Sequence, residues 1–245
     1  FRMIWECAAA VVLIGVLLKL LGCFDATEVT IAEKPEIFAG GITVYYKHHI
    51  GSYGSAYKLV RELMELVPDR AGRSFGIYYD DPKKVPAHLL QSAIGVIVQT
   101  GDRVLVQPII IEQLQRRGLE KMVIPAIDRS VTASREISTM AMFMPATLNP
   151  LVQLYAAIAD YVKAHSLSTT VAFETYTLDS SRYTVHFPLD HQDEFIVHEK
   201  ISTEALQTKL ACAKFDSDES SSESEASGDE LIDEEDAEAS AGGDQ

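Results

Sequence analysis

Glu174 is a lone carboxylate in the strand-like run Thr170–Leu178, TVAFETYTL. Alternation along a strand puts it on one face with Ala172 and Tyr176, and Val171, Phe173 and Thr175 on the other. A carboxylate turned into an apolar interior needs a donor or a cation, or its pKa rises. Such a group can attract a cation or a basic peptide group. A second acid, Asp80, follows Tyr79 in the turn IYYDDP. Asp80 and Asp81 ahead of Pro82 read as turn chemistry rather than a cation site. His48 and His49 are adjacent on an extended segment, so they point to opposite faces and do not share a metal. Ser220, Ser222 and Ser227 each have Glu three residues on. That spacing suits an acid-directed kinase such as casein kinase 2 and makes them phosphorylation candidates. No nucleophile–base spacing supports catalysis, and no metal or cofactor is expected.

The elements that must position these residues follow from periodicity. Ile42, Val44 and Tyr46 alternate with Thr43, Tyr45 and Lys47, as in a half-buried strand. Gly51 and Gly54 bracket a turn, and Ser55 is the expected N-cap of the next helix. Leu59, Leu63 and Leu66/Val67 recur at helical spacing, with Arg61, Glu62 and Glu65 on the wet side. Pro68 and Gly72 are expected to end that helix. Ser74–Tyr79 reads as a strand and Ala93–Val98 as a buried one. Ile109–Arg117 reads as a connecting helix ended by Gly118. Met122–Pro125 and Ser130–Ile137 read as extended. Leu148, Leu151, Tyr155, Ile158 and Val162 form a helical stripe. Thr170–Leu178 and Arg182–Pro188 complete a second, looser strand-helix-strand-strand order.

The 245 residues carry a net charge of −15. The segment from Asp216 to Gln245 holds thirteen of the 36 acids and none of the 21 bases. Without it, 23 acids face 21 bases, so the charge resides in the tail. Neither part has the basic footprint of a nucleic-acid binder, and GSYG lacks the basic residues that would clamp a phosphate backbone. The cysteines are Cys7, Cys23 and Cys212, which leaves the region between Phe24 and Ala211 without a disulfide. Residues 214–245 are too charged to collapse and are expected to be disordered.

Ile4–Phe24 is an apolar run long enough for a transmembrane helix. Glu6 and Lys19 lie near its ends, with Lys19 able to snorkel. Trp5 and Phe24 fall where interfacial aromatics sit. Leu21-Gly22-Cys23-Phe24 is too bulky for a signal-peptidase site, so an uncleaved anchor over 4–24 is expected. Cys23 is a candidate for palmitoylation. Arg2 before the run and Asp25, Glu28 and Glu33 after it lean toward a cytosolic N-terminus.

The segments KHHIGSYGSA, FGIYYDDPKKVPAHLL, AIGVIV and AFETYTL resemble GyrI-like domains. With the apolar start and the acidic, serine-rich tail, the chain is similar to the testis-expressed protein 264 family. The resemblance implies an α+β fold: a GyrI-like domain over 37–210 built from two SHS2-type strand-helix-strand-strand repeats with a cleft between them. It implies that Tyr79, Asp80, Glu174 and Tyr176 line that cleft. It implies a single-pass anchor in the endoplasmic reticulum membrane, with domain and tail in the cytosol. The implied function is a selective autophagy (reticulophagy) receptor and an adaptor for a segregase ATPase and its clients, with Atg8-family proteins and the lipid bilayer as further partners. The alternative is a small-molecule sensor using the cleft near Glu174, or a hydrolase of the same fold. The tail departs from an autophagy receptor's pattern: no aromatic residue follows Phe215, and Asp218 stands where the aliphatic partner belongs.

Overall fold

The computed structural model describes residues 2–20, 22, 24, 27–67, 73–137, 149–177 and 182–222. Helix α1 is Arg2–Leu20, 19 residues long. Strand β1 is Val29–Glu33, β2 Ile42–Ile50 and, after helix α2 at Tyr53–Leu66, β3 Arg73–Tyr78. Strands β4 (Gln91–Thr100) and β5 (Arg103–Val104) lead to helix α3 at Pro108–Arg116. Strands β6 (Glu120–Ile124) and β7 (Arg129–Glu136) precede helix α4, Pro150–Ala164. Strands β8 (Ala172–Thr177) and β9 (Arg182–Pro188) follow. Helix α5, Thr203–Ser222, lies almost wholly in a separate compact unit, Glu204–Gln245.

The strands form one sheet in the order β1-β7-β9-β8-β3-β4-β2-β6, with β5 on β4. β2, α2, β3 and β4 fill one half; β7, α4, β8 and β9 fill the other in the same element order. The halves meet where β3 pairs with β8 antiparallel, Gly76 opposite Glu174. β4 shows why the centre is stable: QSAIGVIV is buried on both faces, the pattern of a covered central strand. Helix α2 lays Ala56, Val60 and Leu63 on Ile94, Val96 and Val98 of β4. Helix α4 lays Leu154 and Ile158 on Val131, Ala133 and Val185. The other face is closed by Phe38, Phe75, Phe173 and Phe195 with Ile42, Ile97 and Ile124.

Helix ends follow local chemistry. The N-cap of α2 is Ser52, whose side chain accepts from the Ser55 amide at 3.3 Å, rather than Ser55 as expected. Gly51 at φ 134° turns the chain so that Ser52, one residue on, faces the helix end. For α4 the cap is Asn149, its Oδ1 accepting from Leu151 N at 2.9 Å. Replacing Asn149 with alanine is expected to cost about 1 kcal/mol, read as a lower urea midpoint with unchanged slope. Pro68, Gly72 and Leu148 lie outside the described residues.

Two expectations are corrected. Helix α1 ends at Leu20, four residues before Phe24. Gly22 at φ 75° closes it, and its amide donates to the Lys19 carbonyl at 2.9 Å, a glycine stop. Among the described residues, no helix is long and apolar enough to cross a membrane. The tail also does not begin unstructured at 214, because α5 continues through Ser220 to Ser222. Good helix formers from Ala205 to Lys214 nucleate that helix and carry it into the acidic serines. Ser227 and Cys23 lie outside the described residues.

Candidate functional site

Strand parity decides which side chains meet at the β3–β8 seam. Phe75, Ile77 and Phe173 point into the phenylalanine-rich face. Gly76, Tyr78, Glu174 and Tyr176 therefore point to the face carrying α2 and α4. Glu174 is only 5% exposed there. The Tyr155 hydroxyl, from α4, donates to its Oε1, and the Tyr176 hydroxyl donates to its Oε2. The Tyr78 hydroxyl lies 2.6 Å from that of Tyr176. Tyr53, in the first turn of α2, packs edge-on against Tyr78 at 4.7 Å between centroids. Tyr183 packs edge-on against Tyr176 at 5.5 Å, and its hydroxyl lies 3.2 Å from that of Tyr57.

Gly76 makes room for this cluster. A Cβ there would lie 2.8 Å from the Tyr78 ring and 3.0 Å from the Tyr176 hydroxyl. The result is one carboxylate inside a cage of phenols, between two helices and above the sheet. Burial raises the pKa of Glu174, and the two donated hydrogen bonds oppose that rise. Burial, and then the charge of Glu174, push Tyr78, Tyr155 and Tyr176 up. The phenols therefore remain protonated donors at neutral pH. An ionised Glu174 here has aromatic faces and a negative charge, and among the described residues its hydrogen-bond partners are phenols. That combination suits a flat or apolar cation.

The expected site residues divide. Glu174 and Tyr176 are brought together. Tyr79 is not: it points to the opposite face, where its hydroxyl donates to the Phe195 carbonyl at 3.1 Å and Lys200 Nζ lies 5.8 Å from its ring. Tyr78 takes the place expected of Tyr79. Asp80 is adjacent but its carboxylate faces away, accepting from the Gln91 amide at 2.7 Å. Its main chain instead holds Tyr53, whose hydroxyl donates to the Asp80 carbonyl at 2.7 Å and accepts from the Asp80 amide at 3.0 Å. Asp81 accepts from the Lys83 amide at 2.9 Å, a turn contact. His49 reaches Ser55 Oγ at 3.0 Å. Ser220 and Ser222 fall in the last turn of α5.

Tyr53, Tyr78 and Tyr155 escaped the sequence reading. The signal for Tyr78 was the Tyr78-Tyr79 doublet itself, since one member of any such pair faces each side. Tyr155 was visible in its helical stripe as an apolar residue, and its hydroxyl is what matters.

No protein-family model matches the chain. Among solved structures, the chain is similar to a chain of the EcmrR–DNA complex in EcmrR-RPo at 17% identity, covering 76% of this chain and 67% of that one, TM-score 0.41. An uncharacterised conserved protein from Listeria innocua gives 10% identity, 66% and 91% coverage, and TM-score 0.40. At such scores neither likeness carries weight for fold or function. Curated relatives are nearer. Testis-expressed protein 264 of Homo sapiens is 30% identical over 185 residues, 75% of this chain and 55% of that protein. Its Mus musculus homolog is 32% identical over 189 residues, 76% of this chain and 57% of that protein. The chain thus spans just over half the length of the curated relatives it matches. Identity at this level over three quarters of the sequence places the chain in the testis-expressed protein 264 family.

Proposed function

We propose that this protein is a membrane-attached binding module: a GyrI-like domain of two SHS2-type units that serves as a reticulophagy receptor and segregase adaptor of the endoplasmic reticulum, with domain and tail in the cytosol. One observation carries the membrane part. Ile4, Trp5, Val11, Leu13, Ile14 and Leu17 of α1 are each at least 53% exposed, and at ~100° per residue they lie on all sides of the helix. An apolar side chain gains ~1.5–3 kcal/mol on leaving water. A helix apolar all round needs lipid or protein around it. The shared element order of the two halves about β3–β8 supports the two-unit reading. Family membership and the acidic tail support the receptor and adaptor role.

Flotation tests the attachment. The full chain is expected to rise with phosphatidylcholine–phosphatidylethanolamine vesicles, and the chain lacking residues 2–20 to stay at the bottom of the gradient. Equal distribution of the two would sink the proposal. The receptor arm is read by capture of purified Atg8-family proteins on the full chain, before and after casein kinase 2 treatment. Retention in neither state would leave the adaptor role alone.

The Glu174 cage favours a second reading, a sensor for an apolar cation. A hydrolase of the same fold has less support, because the partners of Glu174 are phenols rather than a nucleophile and base.

A further inference from the structure

A second polar cluster lies away from the Glu174 cage, on the opposite face and near the β6 edge. Glu120 opens β6 and stands opposite Tyr46 of β2 in the sheet register. His198 and Glu199 lie in the segment after the turn Gln192–Phe195. That segment is fixed from beneath, since Phe195 and Val197 are buried and Tyr79 bonds the main chain of both. His198 Nε2 is 3.8 Å from a Glu120 carboxylate oxygen, and His198 Nδ1 is 3.4 Å from one of Glu199. The Tyr46 hydroxyl, on a residue only 3% exposed, lies 3.1 Å from Glu199 Oε2 and 3.3 Å from His198 Nδ1. One donor atom from each of Glu120, His198 and Glu199 falls within 4.8 Å of the others.

Charge sharpens the point. Two carboxylates face one imidazole, and among the described residues no Lys or Arg forms an ion pair with either. Lys200, next in sequence, lies over the Tyr79 ring instead. A dication offsets both carboxylates and uses the imidazole as a ligand. One nitrogen with two carboxylate oxygens suits zinc: three protein ligands and an open fourth position for water. Donors on one tetrahedral zinc sit ~3.3 Å apart at bonds of ~2.0–2.1 Å. Closing from spacings within 4.8 Å takes side-chain rotation, which the exposed Glu120 and His198 have room to make. Tyr46 holds Glu199 in place, the supporting contact that metal ligands need.

We propose that Glu120, His198 and Glu199 form a Zn2+ site that ties the edge strand β6 to the segment after Phe195. The site is independent of the proposed receptor role and of the Glu174 cage. The acidic tail is a competing sink for cations, so a variant comparison carries the test. Chelator-treated full chain in detergent is titrated with ZnCl2 by calorimetry, beside Glu120→Gln/His198→Ala. The wild type is expected to bind one Zn2+ at least tenfold more tightly than the double variant, which keeps only tail binding. Co2+ in place of Zn2+ is expected to give visible absorption typical of a four-coordinate ion, lost in the variant. Circular dichroism confirms that both chains are folded. Equal affinity in both chains, or Mg2+ binding as tightly as Zn2+ in the wild type, would overturn the site.

Discussion

Replacing Gly95 with alanine is expected to destabilise the fold by about 4 kcal/mol or more, a large part of the ~5–15 kcal/mol that holds a domain together. Gly95 lies in β4, between Tyr46 of β2 and Phe75 of β3. A Cβ there would sit 2.0 Å from the Tyr45 carbonyl oxygen and 2.8 Å from both the Tyr46 Cα and the Phe75 ring. Two of those three atoms are backbone, so no rotamer change relieves the clash. Phe75 is held in turn by stacking on Phe173 at 5.3 Å between centroids. The strand pair itself must separate, and β4 is buried throughout its first eight residues. Overpacking that flexible side chains absorb costs ~1–3 kcal/mol, and this site has no such relief. Chemical denaturation of the purified chain reads the effect. A midpoint within 0.5 M urea of the wild type would show that β2 and β4 separate more easily than their packing implies.

The fold was legible where one face of an element is wet. The stripe Leu59, Leu63 and Leu66/Val67 is flanked by Arg61, Glu62 and Glu65, and α2 forms there, although Ala56, Val60 and Leu63 are the residues it buries. Ile42–Ile50 forms the expected strand, but Tyr45, on the phase expected to be wet, is buried as well, and Arg182–Pro188 forms at its expected bounds. Legibility ended where burial is two-sided. β3 is buried on both faces from Ser74 to Ile77, so alternation has no polar phase to anchor it. Whether Tyr78 or Tyr79 joins Glu174 is a question of parity, and only pairing with β8 answers it. Strand β1 was missed because five residues at the sheet edge show the mixed exposure of a loop. The Zn2+ ligands are 78 positions apart in sequence, from Glu120 to His198, and no motif spacing links them. Glu174 was legible because a lone carboxylate in TVAFETYTL conflicts with its apolar neighbours. Its cage was not, because Tyr155 arrives from a helix and Tyr53 from the other half of the sheet.

Removing the Glu174 side chain separates what the cage costs from what it holds. Glu174→Ala leaves the buried hydroxyls of Tyr155 and Tyr176 without their acceptor. The Tyr176 hydroxyl can donate instead to that of Tyr78, 2.6 Å away, which leaves Tyr155 as the unsatisfied group; such a group costs ~1–3 kcal/mol, and a loss of about that size is expected. Glu174→Gln keeps an acceptor and removes the charge, and behaves differently. Burial raises the folded-state pKa of Glu174 above its unfolded value, so the folded chain binds the extra proton. Its contribution to stability is therefore fully present below the unfolded carboxylate range and is lost as pH rises through the folded pKa. The wild type is expected to lose stability as pH rises through that window, and Glu174→Gln to show a flatter profile over the same range. Thermal melts at pH 4.5, 6 and 7.5 read both. The same charge is what an apolar cation would meet. Tetraphenylphosphonium is expected to raise the melting temperature of the wild type at pH 7.5, by mass action on the folded state, and to leave Glu174→Gln unmoved. A flattened pH profile without a ligand shift would make Glu174 a buried structural acid, and the cage a means of tolerating it. Both effects together would make the energetic cost of that carboxylate the source of its affinity for a cation.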